Sequence, residues 1–242
     1  MPGLAAGEVL DALEVCRSRH PLDAALFLTC LADPTLGGRE AGELGIGDRD
    51  RRLLQLRAET FGPRFEMSAR CPACDEALEV RLELMDLLVD ESVSDPAAGV
   101  LEVDGKRWWL RRPDSHDLAA VVDIADPEEG RRHLARRCLL SEEGVPPREE
   151  ELTRMVLARA AESLSRLDPQ ADLYASLDCP TCGYAWEAPF DIGLVLVREV
   201  EASAQRVLSD VHTLAVAYHW AEADILALSP ARRHAYLDLV RS

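Results

Sequence analysis

The segment Cys71-Pro72-Ala73-Cys74 returns later in the chain as Cys179-Pro180-Thr181-Cys182, and this pair of cysteine knuckles is the strongest indication of the fold. The two knuckles are separated by 104 residues, and the sequences around them align without a gap at an offset of 108. A thiolate is a soft, charged metal ligand, and a tight Cys-x-x-Cys turn directs two thiolates at one point. The two turns therefore predict one tetrahedral site with four thiolate ligands.

The similarity between the two segments extends beyond the cysteines. Leu78-Glu79-Val80 aligns with Trp186-Glu187-Ala188, and four later positions are apolar in both copies. These positions align Leu82, Leu84, Leu87 and Leu88 with Phe190, Ile192, Val195 and Leu196. The repeat predicts two similar halves of one zinc ribbon.

The distance between the knuckles predicts a split ribbon, because ordinary ribbons have only about 15–20 residues between their knuckles. Loop closure costs a free energy that grows with the logarithm of length, and a folded insert brings its own ends together. We expect one structural zinc ion, with disulfides, iron or metal-free thiols as alternatives. Its ligands are expected to be Cys71, Cys74, Cys179 and Cys182. Four cysteines leave no coordination position for a substrate or an activated water.

The composition is that of a globular protein. The chain has 242 residues, 48% of them hydrophobic, which is enough for a sizeable core. No stretch approaches about 18 consecutive apolar residues, and the N-terminus lacks a secretion signal, so we expect a cytoplasmic bacterial protein with no membrane contact. A reducing compartment also suits the odd count of seven cysteines. Cys16, Cys30 and Cys138 lie in apolar helical patterns and are expected to be buried free thiols.

The formal net charge of −17 is concentrated between the knuckles, where residues 71–178 carry 25 acidic and 13 basic side chains. A negative field opposes binding to nucleic acid and to anionic membranes. If electrostatics guide binding, the partner is expected to have a basic surface. A solvated acidic face that aids solubility is an equally good interpretation.

The hydrophobic periodicity predicts an α+β protein that is mainly α, with helical bundle regions around a split four-cysteine zinc ribbon and a small β-hairpin. The expected organisation has five parts. They are an N-terminal helical region at 1–63, the first half of the split ribbon at 64–90, an acidic hairpin-plus-helices insert at 91–172, the second half of the ribbon at 173–193 and a C-terminal helical tail at 194–242.

Helix and turn signals predict the individual elements. The expected helices are at 6–17, 21–31, from a cap at Asp48 or Asp50 to about Thr60, 116–125, 128–140, 148–166, 195–218, near 220–228 and 230–240. Alternating residues on either side of Asp104-Gly105 predict a hairpin with a type I′ turn. The alternation also places one residue of Trp108-Trp109 inward and the other outward.

The segment Asp114-Ser115-His116-Asp117 contains the residue types of a hydrolase triad, but neighbours in sequence rarely adopt catalytic geometry. A helix N-cap at Asp114 or Ser115 is the favoured interpretation. His212, His219 and His234 lie at no metal-ligand spacing and beside no nucleophile. The sequence therefore predicts a protein that is not an enzyme and binds no small-molecule substrate.

Two other functions remain as alternatives. One is a zinc-binding transcriptional regulator, in which the three C-terminal helices would form a helix-turn-helix and Arg232, Arg233 and His234 would contact DNA; ordinary helix packing is the favoured interpretation of these helices. Cys182-Gly183-Tyr184 resembles a rubredoxin knuckle, which would hold iron and transfer electrons. The acidic charge disfavours the regulator, and the length of the chain and Asp75 in the first knuckle disfavour the rubredoxin.

Several phrases through most of the chain resemble a family of proteins encoded with contractile, phage-tail-like injection systems and related to the T-even-phage baseplate hub-assembly family. The phrases are 46–57 (IGDRDRRLLQLR), 61–63 (FGP), 71–74 (CPAC), 110–118 (LRRPDSHDL), 179–183 (CPTCG) and 220–237 (WAEADILALSPARRHAYL). The resemblance implies a zinc-knuckle-containing member of this family. It implies a role in assembling the baseplate or tail hub, either as a chaperone that leaves or as a minor structural part of the particle. The expected partners are baseplate or tail-hub proteins.

Overall fold

The structure is a computed structural model, and it describes residues 3–241. Helices make up most of the chain, and three small antiparallel sheets lie between them. The helices are α1 (Ala6–Arg17), α2 (Pro21–Ala32), α3 (Gly38–Glu43), α4 (Ile46–Phe61), α5 (Leu84–Leu87), α6 (Ser115–Ala119), α7 (Pro127–Cys138), α8 (Arg154–Leu167), α9 (Ile192–Tyr218), α10 (Glu222–Leu226) and α11 (Pro230–Arg241). The strands are β1 (Arg64–Arg70), β2 (Ala77–Glu83), β3 (Val100–Val103), β4 (Lys106–Leu110), β5 (Leu139–Ser141), β6 (Tyr174–Asp178) and β7 (Ala185–Pro189). The fold is α+β and mainly α, as the sequence predicts.

Each cysteine knuckle joins the two strands of a hairpin. Strand β1 pairs with β2, and β6 pairs with β7, both antiparallel. Strands β2 and β7 begin at Ala77 and Ala185, which are 108 residues apart like the knuckles themselves. The internal repeat of the sequence is therefore a repeat of structure.

The third sheet lies in the insert and has the strand order β3-β4-β5. Asp104 and Gly105 have φ angles of 52° and 73°, so both central residues of the β3–β4 turn are left-handed, as a type I′ turn requires. The predicted hairpin is confirmed. The sequence did not predict β5, because three residues are too few to show an alternating pattern. The helix expected at 128–140 ends at Cys138 instead, and its last two residues belong to β5.

Two other helices of the insert are shorter than expected. The helix expected at 116–125 ends at Ala119 and turns follow it, since Val121, Val122 and Ile124 lose side-chain entropy in a helix. The helix expected at 148–166 begins at Arg154, where the Thr153 side chain accepts a hydrogen bond from the N–H of Val156. A 3₁₀ turn at Glu149–Glu151 precedes it.

The largest hydrophobic core is built by α1, α2, α4 and α9 together with strands β1 and β2 and with Leu173 and Phe190, which flank the second knuckle hairpin. The four apolar positions that the two copies share all pack into this core, whether fully or partly buried. Phe65 of β1 meets Phe190 edge to face, with ring centroids 5.7 Å apart. The Arg57 guanidinium lies 3.8 Å above the Phe65 ring and pairs with Glu199 of α9. The helices thus hold the two hairpins side by side.

The insert and the C-terminal helices have cores of their own. In the insert, the inner face of the three-stranded sheet packs against α7 and α8. At the C-terminus, the second half of α9 packs against α10 and α11 through Leu214, Ile225 and Leu237. Helix α9 begins at Ile192 with Asp191 as its cap, so the expected boundary at 193 falls within its first turn. Its first half belongs to the largest core.

A polar joint connects the insert to the N-terminus of α4. The backbone N–H of Ile46 donates to the carbonyl of Pro113 at 3.0 Å, and the N–H of Gly47 donates to the Asp168 carboxylate at 3.1 Å. A side chain at position 47 would not fit, because a Cβ there would lie 1.9 Å from Asp168 Oδ1. The expected cap at Asp48 or Asp50 is therefore wrong. Asp168 caps the helix from a position 121 residues away in the chain.

Candidate metal centre

The first knuckle is a tight turn held by backbone hydrogen bonds. The N–H of Cys71 donates to the Glu76 carbonyl, and the N–H of Asp75 donates to the Cys71 carbonyl, each at 2.9 Å. Asp75 has a φ of 59°, the left-handed conformation that aspartate adopts at some cost. Arg70 contacts both the backbone carbonyl and the carboxylate of Asp75, which holds this turn in place.

The second knuckle has the same backbone pattern. The N–H of Cys179 donates to the Tyr184 carbonyl at 2.9 Å, and the N–H of Gly183 donates to the Cys179 carbonyl at 2.8 Å. Gly183 has a φ of 72° at the position that Asp75 occupies in the first knuckle. Glycine has no Cβ and adopts this conformation without strain. Tyr184 stacks on Trp186, with ring centroids 6.2 Å apart.

The structure brings all four predicted ligands together. The sulphur atoms of Cys71, Cys74, Cys179 and Cys182 all lie within 4.8 Å of one another. The shortest contacts cross between the hairpins: Cys71 Sγ lies 3.7 Å from Cys182 Sγ, and Cys74 Sγ lies 3.6 Å from Cys179 Sγ. The first cysteine of each knuckle is buried, and the second is exposed.

These distances suit a metal ion. A tetrahedral zinc site with Zn–S bonds of about 2.3 Å has sulphur atoms about 3.8 Å apart. The two cross-hairpin contacts are within a few tenths of an ångström of that separation. Four thiolates form the donor set of structural zinc sites and also of some iron centres. The cluster can therefore hold a metal ion that clasps the two hairpins.

Backbone hydrogen bonds favour the ionised form of the Cys179 thiol. The N–H groups of Cys182 and Thr181 point at the Cys179 sulphur and lower the pKa of this thiol to about 7. The Glu76 N–H favours the thiolate of Cys74 in the same way, but desolvation and the hydrogen bonds shared with the other sulphurs outweigh it and raise the pKa of Cys74 to about 12. Neighbouring thiolates oppose one another's ionisation, and a cation among them removes this opposition.

Three residues of the triad-like segment make contacts that stabilise the fold. Asp114 caps α6 by accepting from the N–H of Asp117, as predicted. Ser115 is buried and accepts a hydrogen bond from Arg49 at 3.2 Å. Asp117 is bound by Arg111 and Arg137.

The C-terminal basic cluster is smaller than the sequence indicates. Arg233 is buried and lies 3.3 Å from the Asp210 carboxylate, which neutralises its charge within the fold. His234 is exposed, 3.6 Å from Asp238. His219 takes a left-handed conformation and caps the end of α9. These contacts are typical of helix packing.

Sequence reasoning missed the buried polar groups of the joint. Arg49 and Asp50 form an ion pair of 2.7 Å on α4, beside Ser115 of the insert. Burial raises the pKa of Asp50 to about 6, although Arg49 opposes the shift. The phrases at 46–57 and 110–118 contain these residues, but the sequence offered no signal that the two phrases touch.

The remaining cysteines lie outside the cluster. Cys16 and Cys138 are buried, and Cys30 is partly buried, so the expectation of burial is met in full by two of the three. Burial raises the pKa of Cys138 to about 12, which keeps this thiol protonated.

Among the described residues, no helix has both the length and the apolar character needed to cross a membrane. Comparisons with protein-family models, curated proteins and solved structures gave no significant match.

Proposed function

We propose that this protein is a non-enzymatic assembly factor or minor structural component of the baseplate or tail hub of a contractile, phage-tail-like injection system, with one structural zinc ion. The observation that carries the structural zinc is the convergence of four thiols from two distant hairpins on one point. A metal ion there would fix the two ends of the insert relative to the helical core. This is a scaffolding role, because four protein ligands complete a tetrahedral site.

Zinc is the metal that suits these residues best. It takes four thiolate ligands in tetrahedral geometry and has no redox chemistry, so it supplies cross-linking and nothing else. Iron in a rubredoxin-like centre uses the same ligands. Cys71, Cys74, Cys179 and Cys182 would bind either ion. A zinc ion would cross-link the two ends of the folded insert beside the helical core. An electron carrier needs neither the insert nor the helical core.

The assignment to the baseplate rests on the sequence resemblance. Two of the phrases that carry it, 46–57 and 110–118, meet at the polar joint between α4 and the insert. Contacts of this kind orient the insert relative to α4, which is useful in a protein that must present one surface to a partner. Such a protein could hold a hub component until ring closure buries the interface of that component.

The metal is tested by elemental analysis and absorption spectra of protein purified with and without oxygen. We expect one zinc ion per chain in the wild type and a loss of zinc in both Cys71→Ser and Cys179→Ser. Cys30→Ser is the matched control, since Cys30 is partly buried and lies outside the cluster. A coloured, iron-loaded protein would support the rubredoxin-like alternative. A metal-free wild type would reject the split zinc ribbon.

The assembly role is tested in the native gene cluster. We expect deletion of this chain to reduce the number of complete contractile particles seen by electron microscopy. We also expect the tagged wild type to co-purify with a baseplate or hub protein. Normal particle assembly in its absence, together with no binding to any purified baseplate component, would contradict the proposal.

A further inference from the structure

The three-stranded sheet of the insert has an apolar row on its outward face. The inward face carries Trp108 and Leu110, which pack into the core of the insert. On the opposite face, Val100 pairs across the strands with Trp109, and Trp109 pairs with Leu140. Trp109 is 51% exposed and Val100 is 37% exposed. The predicted alternation of the two tryptophans is confirmed, and the outward one lies at the centre of a row that crosses all three strands.

An acidic rim borders this apolar row towards the β3–β4 turn. Arg107 pairs with Glu102 at 2.8 Å and lies 3.7 Å from Glu142. At the same turn but on the inward side of the sheet, Lys106 pairs with Glu151 at 2.7 Å. Both basic side chains of the rim therefore already have carboxylate partners. The carboxylates outnumber them, and the rim has a net negative charge.

An open groove of about 610 Å³ lies along the same rim. It is lined by Glu102, Glu142, Glu143 and Glu151 together with Lys106, Arg107 and Trp108.

We propose that the outward face of the β3-β4-β5 sheet is a docking surface for a basic segment of a partner protein. An apolar or aromatic side chain of that segment would pack on Val100, Trp109 and Leu140, while lysine or arginine side chains would pair with the acidic rim. Exposed tryptophan is enriched among the residues that dominate binding energy at interfaces. Complementary charge accelerates the encounter and excludes acidic partners. The inference rests on the proposed function only for the identity of the partner.

Charge also decides against a second copy of this chain as the occupant. A two-fold contact through this face would place one acidic rim against the other. The chain as a whole carries a formal charge of −17, so two copies repel at long range as well. A basic partner removes both penalties.

The test uses two short synthetic peptides of equal length, one alternating lysine with tyrosine and the other alternating glutamate with tyrosine. We expect the full-length protein to bind the lysine peptide, with an affinity that falls as salt is raised. Hydrogen exchange should show protection limited to residues 100–110 and 139–145. The glutamate peptide should not bind.

Trp109→Ser should weaken binding of the lysine peptide by about ten-fold or more. The matched control is Tyr174→Ser, since Tyr174 is 52% exposed and lies on a different sheet. Glu142→Lys provides a second variant that leaves the apolar row intact, and it should also weaken binding. Metal content and thermal midpoint establish that each variant is folded. Unchanged affinity in folded Trp109→Ser and Glu142→Lys, protection elsewhere, or equal binding of the glutamate peptide would overturn the docking surface.

The proposed function and the docking surface can fail separately. If the lysine peptide binds as expected but no baseplate protein co-purifies with the wild type, the surface stands and the baseplate role is wrong. If a baseplate protein co-purifies equally well with Trp109→Ser, the role stands and the surface is wrong.

Discussion

The carboxylate of Asp117 is buried and lies between two arginines. Arg111 donates to both of its oxygens, at 2.6 and 2.9 Å, and Arg137 donates at 2.7 Å. Burial alone would raise the pKa of this carboxyl, but the two arginines and a backbone N–H outweigh it and lower the pKa to about 2. The ionised form of Asp117 therefore stabilises the fold. Charge-assisted bonds of this kind are stronger than neutral ones.

We expect Asp117→Asn to lower the free energy of unfolding at neutral pH by about 2–3 kcal/mol. The pKa of Asp117 lies below its ordinary value of 3.8 in the folded state. The stabilisation is thus present above the unfolded pKa and is lost as pH falls from about 4 to about 2. Urea unfolding at several pH values should show the difference between wild type and variant shrinking over that interval.

Asp104→Asn is the matched control for this pH series. Asp104 is exposed in the type I′ turn, and asparagine adopts the left-handed conformation there equally well. Its stability should follow that of the wild type at every pH. A difference between wild type and Asp117→Asn that stays constant down to pH 2 would show that Asp117 acts through shape and not through charge.

The stability of the two knuckle hairpins depends on the cluster of four cysteines between them. A two-stranded hairpin is marginally stable in water by itself. Most side chains of β1, β2, β6 and β7 are exposed or only partly buried. Packing on the helical core and coordination of a metal ion are the two interactions that can hold the strands in register.

We expect a strong chelator to loosen both hairpins and to leave the helices around them folded. Hydrogen exchange should accelerate at residues 64–83 and 174–189 but not in α1, α2 or α9. A thiol reagent should modify the four clustered cysteines only after chelation. Cys71→Ser lacks one ligand and should show no further response to the chelator. Unchanged exchange and thiol reactivity in the chelated wild type would contradict a structural metal.

Elements with local signals could be predicted from the sequence. The knuckles, the Asp104-Gly105 turn and the cap at Asp114 each depend on a few neighbouring residues, and the structure has all three. Strand β5 and the Asp168 cap of α4 depend on residues far away in the chain. Such partners leave no pattern at either position alone, so the polar joint could not be predicted.

Polar contacts connect the hydrophobic core of the insert to the helical core. The insert packs within itself, and its bonds to the N-terminus of α4 are mainly hydrogen bonds and ion pairs. Asp168 is central to this connection, since it is buried and binds the Gly47 N–H. Loss of such a bond should loosen the insert without unfolding the helical core.

We expect Asp168→Ala to reduce stability by about 1 kcal/mol, as loss of a helix cap usually does. Its hydrogen exchange should accelerate in residues 100–110 and 154–167, because these residues build the core of the insert. Asp191→Ala is the matched control, since it removes the cap of α9 within the largest core. Uniform acceleration along the chain in both variants would show that the cores unfold as one unit.

The first and last residues of the insert lie side by side. Asp95 near its start pairs with Arg166 near its end, and the N–H of Asp95 donates to the Arg166 carbonyl at 2.9 Å. This contact and the four-cysteine cluster should hold the protein together after a peptide bond in the insert is cut. A protease that nicks an exposed insert loop such as 142–144 would leave two fragments that still migrate as one particle and separate only in denaturant.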